Sequence, residues 1–146
     1  MATTPLIVER SYHTPIEKIW SALTDREEMA NWYFKLEAFK PETGFRFQFT
    51  GGDEQQQYLH ECEILEVEKP NKLSHTWTYP EHNNGRSIVT WELFPDGANK
   101  TTLRLTHEGL DTFPKDDKNF AAESFTAGWN YILGESLKKY LEPAND

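Results

Sequence analysis

Apolar residues recur along this chain with two different periods. Through the middle the period is two. Phe45, Phe47 and Phe49 alternate with Arg46, Gln48 and Thr50. Leu73, His75, Trp77 and Tyr79 share one side of the next pattern, with Ser74, Thr76 and Thr78 on the other. Val89, Trp91 and Leu93 repeat it, and so do Leu103, Leu105 and His107 against Thr102, Arg104 and Thr106. Strict alternation marks strands with one face buried. Residues 6–13 alternate weakly but are rich in strand formers, and residues 33–39 read as a further strand. Residues 58–68 form a long strand in which Cys62 and Ile64 are in phase and Val67 is not. A phase slip of one residue near Leu65 predicts a β-bulge and a bent strand. Pro41-Glu42-Thr43-Gly44, Gly51-Gly52-Asp53, Pro70-Asn71, Asn83-Asn84-Gly85 and Pro95-Asp96-Gly97 supply the turns, and the Gln55–Gln57 run falls at a hairpin tip.

The second period is helical. Thr14-Pro15-Ile16-Glu17 reads as a capping box, with Thr14 the cap and Pro15 the first helical residue. Ile16, Ile19, Trp20 and Leu23 follow at helical spacing. Thr24-Asp25-Arg26-Glu27 repeats the capping pattern before a second short helix carrying Met29 and Trp32. After the loop at 109–115, residues 117–141 make one long helix, capped at Asp116 or Asp117 and ended before Pro143. Its apolar stripe is Ala122, Phe125, Trp129, Ile132, Leu133, Ser136 and Tyr140, opposite Glu123, Asn130, Glu135 and Lys138. A long one-faced helix after a run of strands must lie on the sheet they make. The order is strand, two helices, about six strands, one helix, in a single domain over residues 1–146. Trp20 reads as core and Trp129 as the anchor of the long helix. Gly128 reads as a point of close approach between helix and strand.

Composition adds a hint of a cavity. Only 37% of residues are apolar, but 14% are aromatic, so a few large rings do the burying. Rings leave gaps more readily than branched aliphatics, which favours an internal hollow. A net charge of −9 argues against nucleic acid and against stable association with anionic membranes. No run of eighteen apolar residues is present, and one cysteine, Cys62, makes no internal disulfide. A cytoplasmic location is expected from these features.

The strings 15–25 (PIEKIWSALTD), Trp32, 103–109 (LRLTHEG) and Gly128-Trp129 resemble the START-like, or SRPBCC, superfamily, nearest the branch homologous to the activator of the heat-shock-protein-90 ATPase. The resemblance runs nearly end to end. It implies an α+β helix-grip fold: a curved antiparallel sheet of six or seven strands wrapped around the C-terminal helix, with two short helices after strand one. It also implies a pocket between sheet and helix that often takes hydrophobic molecules, and no single activity. Relatives include lipid carriers, hormone receptors, polyketide cyclases and chaperone stimulators. Against the eukaryotic activators, the chain is expected to act without their separate upstream domain.

Candidate cavity-lining residues are Trp32, Phe47, His60, His75, Trp77, Trp91, His107, Phe125 and Trp129. The rings and imidazoles suit a lipid, a sterol-like ring or an aromatic metabolite. His60, His75 and His107 are not spaced as local ligand pairs, so no metal is expected, nor any cofactor. Glu61, Glu63, Glu66, Glu68 and Glu92 read as outer-face charges. Asp111 and Glu123 lie near the expected pocket mouth without a base beside them. Cys62 reads as a small buried hydrophobe. No Gly-x-Ser-x-Gly or phosphate-cradling loop occurs. The expectation is non-enzymatic binding of a small hydrophobic molecule. Stimulation of a heat-shock ATPase is the second expectation. Cyclase-type catalysis through His60, His75 and His107 is a third.

Overall fold

The computed structural model describes residues 6–32, 39–52, 57–79, 86–109 and 122–141. Strand β1 (Leu6–Tyr12) leads into helices α1 (Ile16–Thr24) and α2 (Arg26–Trp32). Then come β2 (Arg46–Gly52), β3 (Gln57–Glu68), β4 (Lys72–Trp77), β5 (Ser87–Pro95) and β6 (Thr101–Glu108). The C-terminal rod is α3 (Ala122–Tyr131), a π-helical stretch (Ile132–Leu137) and α4 (Lys138–Leu141). The strands form one antiparallel sheet in the order β1-β6-β5-β4-β3-β2. Six strands are therefore present among the described residues. The strand expected at 33–39 falls outside them apart from Phe39, as do the loop at 83–85, most of the loop after Gly109 and the first turn expected for the rod.

Alternation is obeyed where it was clearest. Val89, Trp91 and Leu93 of β5 and Leu103, Leu105 and His107 of β6 are buried, and the residues between them are half-buried. The bulge falls where the phase slips, between Ile64 and Glu66. Strand β4 departs from the pattern: Ser74 and Thr76 of its outer face are buried too. Thr76 Oγ1 accepts the backbone N–H of Glu63 at 2.8 Å, replacing a ladder bond beside the bulge.

Both caps sit one residue later than their motifs predict. Pro15, not Thr14, is the N-cap of α1; it is extended at ψ 152° and gives its helix no side-chain bond. Its ring holds φ at −65°, but the turn begins only where its carbonyl meets the N–H groups of Lys18 and Ile19. Asp25, not Thr24, caps α2: its carboxylate accepts the N–H of Glu27 at 2.9 Å. The Thr24 hydroxyl donates back to Trp20 O at 2.7 Å instead.

The rod corrects the predicted stripe. Phe125, Trp129, Leu133, Leu137 and Leu141 are buried, while Ile132, Ser136 and Tyr140 are half-buried. The buried set keeps a spacing of four residues throughout. In an α-helix each such step drifts by about 40°, so the last residue would face nearly the opposite way from the first. The wider i→i+5 turns of residues 132–137 take up the drift and return Leu137 and Leu141 to the sheet. Tyr12 of β1 donates its hydroxyl to Leu133 O at 2.7 Å, in the interior, which satisfies a carbonyl within the irregular stretch. Close approach of strand and rod also falls elsewhere than predicted. Gly128 is exposed, and a Cβ there would meet nothing within 4 Å; at Gly134 it would lie 3.4 Å from Arg10 Nε.

Candidate functional site

The strands present their rings to one space, and the rod closes it. Trp129, only 2% exposed, lies at 5.2 Å from Trp77, 5.6 Å from Trp91 and 5.9 Å from His107, centroid to centroid. Trp91 meets Trp32 edge-on at 6.3 Å, and His107 meets Phe125 edge-on at 5.2 Å. Phe47 meets His75 edge-on at 5.4 Å. His60 lies against Trp77 at 4.9 Å. All nine residues singled out in the sequence are therefore buried and joined ring to ring. Phe49 and Tyr79 belong to the same file: Phe49 stacks on His60 at 4.5 Å, and Tyr79 tilts over it at 4.7 Å. Their signal was available, since each is in phase with a neighbour that was chosen.

The indole N–H groups of these rings and the nitrogens of His75 and His107 all find partners. Trp129 Nε1–H donates to His107 Nδ1 at 3.1 Å. The imidazole is then protonated on Nε2, which lies 2.8 Å from Ser87 Oγ, and the Ser87 hydroxyl donates onward to Trp77 O at 2.8 Å. Trp91 Nε1–H likewise donates to His75 Nε2 at 3.1 Å, so His75 carries its proton on Nδ1, directed at Thr76 O at 2.9 Å. Trp77 Nε1–H donates to Tyr79 Oη at 2.8 Å, and Trp32 Nε1–H to Ala22 O at 3.0 Å. Burial lowers both imidazoles from their ordinary 6.5, His75 to about 4 and His107 to about 3, the latter helped by His75 nearby. Both are neutral at physiological pH. Ser87 had no sequence signal, because a small polar residue at the end of an apolar pattern does not mark itself.

This proton order bears on chemistry. Ser87 and His107 are at nucleophile–base distance, but the imidazole donates and the hydroxyl proton points to a carbonyl. That is the reverse of an activated serine. His75 and His107 spend their acceptor nitrogens on indoles, and among the described residues no three His, Cys, Asp or Glu side chains are placed to share a metal. Cys62 is fully buried, and burial pushes its thiol well up. The carboxylates of β3 face outward, Glu61 to Gln48, Glu63 to Arg46 and Glu66 to Lys72.

Space is unevenly distributed. Beneath α1 and α2, Leu23, Met29, Trp32, Phe39, Phe47, Leu73, His75 and Trp91 enclose only about 10 Å³, room for at most one water. Outside, an open groove of about 450 Å³ runs between α2 and the rod, lined by Asn31, Trp32, Tyr131, Glu135, Ser136, Lys139 and Tyr140.

A six-stranded antiparallel sheet gripping a C-terminal helical rod, with two short helices after the first strand, defines the START-like helix-grip class. Within that class the chain belongs to the activator of Hsp90 ATPase homolog 1-like family, whose model matches residues 13–142. Protein MLL2253 from Mesorhizobium loti is 31% identical, with 98% of this chain and 100% of that one covered at a TM-score of 0.80. DynU16, a putative protein in the dynemicin biosynthetic locus, is 25% identical over 97% of this chain and 48% of that one, TM-score 0.76. PFC0360w, an HSP90 activator from Plasmodium falciparum, shares the fold at 22% identity, covering 94% and 93%, TM-score 0.68. No curated protein matches the chain. Among the described residues no helix is long and apolar enough to cross a membrane.

Proposed function

We propose that this protein binds a small hydrophobic molecule between the sheet and the C-terminal rod, without catalysis. The observation that carries this is the file of rings from Trp32 through Trp129 to Phe125 and His60, in which the indoles of Trp91 and Trp129 are hydrogen-bonded to His75 and His107. Edge-to-face pairs contribute about 0.5–1.5 kcal/mol each beyond area burial. A flat guest inserted among them regains such contacts with its own ring, which offsets part of the cost of parting the packed rings. The α1–α2 end has room for at most one water, so a guest enters by parting the rings. Titration with a neutral naphthylamine dye, read by Trp fluorescence and by NMR, tests this. The indole resonances of Trp77 and Trp129 should move; if no dye or lipid moves them, the reading falls.

A second reading is stimulation of a heat-shock ATPase. The closed space under α1 and α2 favours it, since a solid core needs no guest, and the family name and the fold shared with PFC0360w point the same way. A net charge of −9 would then seek a basic partner face. Turnover of the host's heat-shock ATPase with and without the protein decides it; unchanged turnover rejects it. The single thiol and the acidic surface accord with the cytoplasm as the site of either activity.

A further inference from the structure

Resting on the ligand-binding reading, we propose that the guest enters through the groove between α2 and the rod, and that Trp32 is the door it passes. Trp32 borders both spaces. Inside, with Met29, it faces Phe47, His75 and Trp91 across the closed space of about 10 Å³. Outside, with Asn31, it meets Tyr131, Glu135 and Tyr140 across the groove of about 450 Å³. A groove of that volume is of the size that takes a small organic molecule. Helix α2 is therefore the wall between an open mouth and a shut interior. An outward swing carries the Trp32 indole, itself a flat bicycle, away from Trp91 and leaves a gap into which a flat guest fits.

This wall is lightly anchored. Helix α2 has seven residues, and Met29 and Trp32 are the two that are buried. The rod, by contrast, sinks Phe125, Trp129, Leu133, Leu137 and Leu141. Elements with few buried apolar contacts open at the lowest cost. The Trp32 indole N–H donates to Ala22 O at 3.0 Å, and its ring meets Trp91 edge-on at 6.3 Å. A further tie is Glu28, whose carboxylate accepts the hydroxyl of Ser21 in α1 and, at 2.8 Å, that of Tyr140 in α4. The Tyr140 bond spans from the rod to α2 beside the groove, so it must break before the wall swings. Burial and the Glu28 carboxylate push the Tyr140 hydroxyl up to about 12, so this latch keeps its proton at physiological pH.

Stopped-flow mixing with N-phenyl-1-naphthylamine, read by dye fluorescence, tests the route. Tyr140→Phe keeps the ring and removes the latch. Association and dissociation should both quicken about tenfold, as for loss of a hydrogen bond to a charged group, with Kd unchanged within about threefold. Asn31→Trp, from an exposed position, fills the mouth and should slow both rates about tenfold. Gly97→Ala, on the turn between β5 and β6 and outside both spaces, should leave both rates as they are. Circular dichroism checks that each variant is folded. Dye that binds with parental rates in both Tyr140→Phe and Asn31→Trp would overturn the route while leaving ligand binding intact. Equal quickening in Gly97→Ala and Tyr140→Phe would also overturn it, since general loosening would then suffice. A dye that fails to bind the parent protein would remove the ligand-binding reading and the route together.

Discussion

Trp129 reaches from the rod to His107 of β6, its indole N–H 3.1 Å from the imidazole Nδ1. That one bond fixes the tautomer of His107, and through it the direction of the Ser87 hydroxyl. Rod and sheet are thus joined by a directional link as well as by packing. A purely apolar contact would let the rod slide; a donor aimed at a ring nitrogen sets its register.

Replacing Trp129 by Phe keeps a ring but strands the imidazole acceptor. The expected loss is about 1–3 kcal/mol, the cost of a buried unsatisfied group. Trp129→Ala adds a cavity and should lose about 3–5 kcal/mol. Urea unfolding followed by circular dichroism measures both. A Phe variant as stable as the parent would show that the link contributes nothing.

The two buried imidazoles make stability depend on pH. Their folded pKa values, about 4 for His75 and about 3 for His107, lie below the ordinary 6.5. The unfolded chain therefore binds protons that the folded chain does not. Their contribution is complete above pH 6.5 and is lost as pH falls from there toward 3–4. Each group should remove about 1.4 kcal/mol per pH unit within that window. In NMR titration the ring protons of both histidines should stay unshifted between pH 7.5 and 5.5. Midpoints near 6.5 would contradict the assignment.

Tyr12→Phe removes the hydroxyl that satisfies Leu133 O in the π-helical stretch. A loss of about 1–2 kcal/mol is expected. Amide exchange should quicken around residues 133–137, with little change in β3 and β4. Uniform quickening through the whole sheet would instead indicate simple global destabilisation.

Two glycines with similar backbone angles separate conformation from crowding. Gly97 has φ +88° and open space where a Cβ would stand; Gly109 has φ +85°, and its Cβ would lie 2.9 Å from Arg86 O. Gly97→Ala should cost about 1 kcal/mol, the penalty of the left-handed region. Gly109→Ala should cost at least about 1 kcal/mol more, since backbone must shift. Thermal melts compare them, and equal costs would mean that the β6 end yields freely.

Much of the fold was legible because local patterns and tertiary burial agree. Trp91, Leu103, Leu105 and His107 announce their faces by alternation, and the bulge at Ile64–Glu66 shows itself as a slipped phase. The nine ring residues could be named because large aromatics on inward faces have nowhere else to go. Their chemistry could not. Whether His75 and His107 were ligands, bases or acceptors depended on which atoms faced them from the neighbouring strand and from the rod, and those atoms are 16 and 22 residues away in the chain.

The sequence alone determined the order of elements, the inward faces of the strands and the acidic exterior, because each follows from nearest-neighbour periodicity or from counting. Only the tertiary structure decided the π-helical stretch, the caps at Pro15 and Asp25 and the proton order from Trp129 to Trp77. A four-residue repeat does not say whether the helix will widen to keep it. That depends on whether the sheet beneath holds Leu133, Leu137 and Leu141 more strongly than regular hydrogen bonding resists.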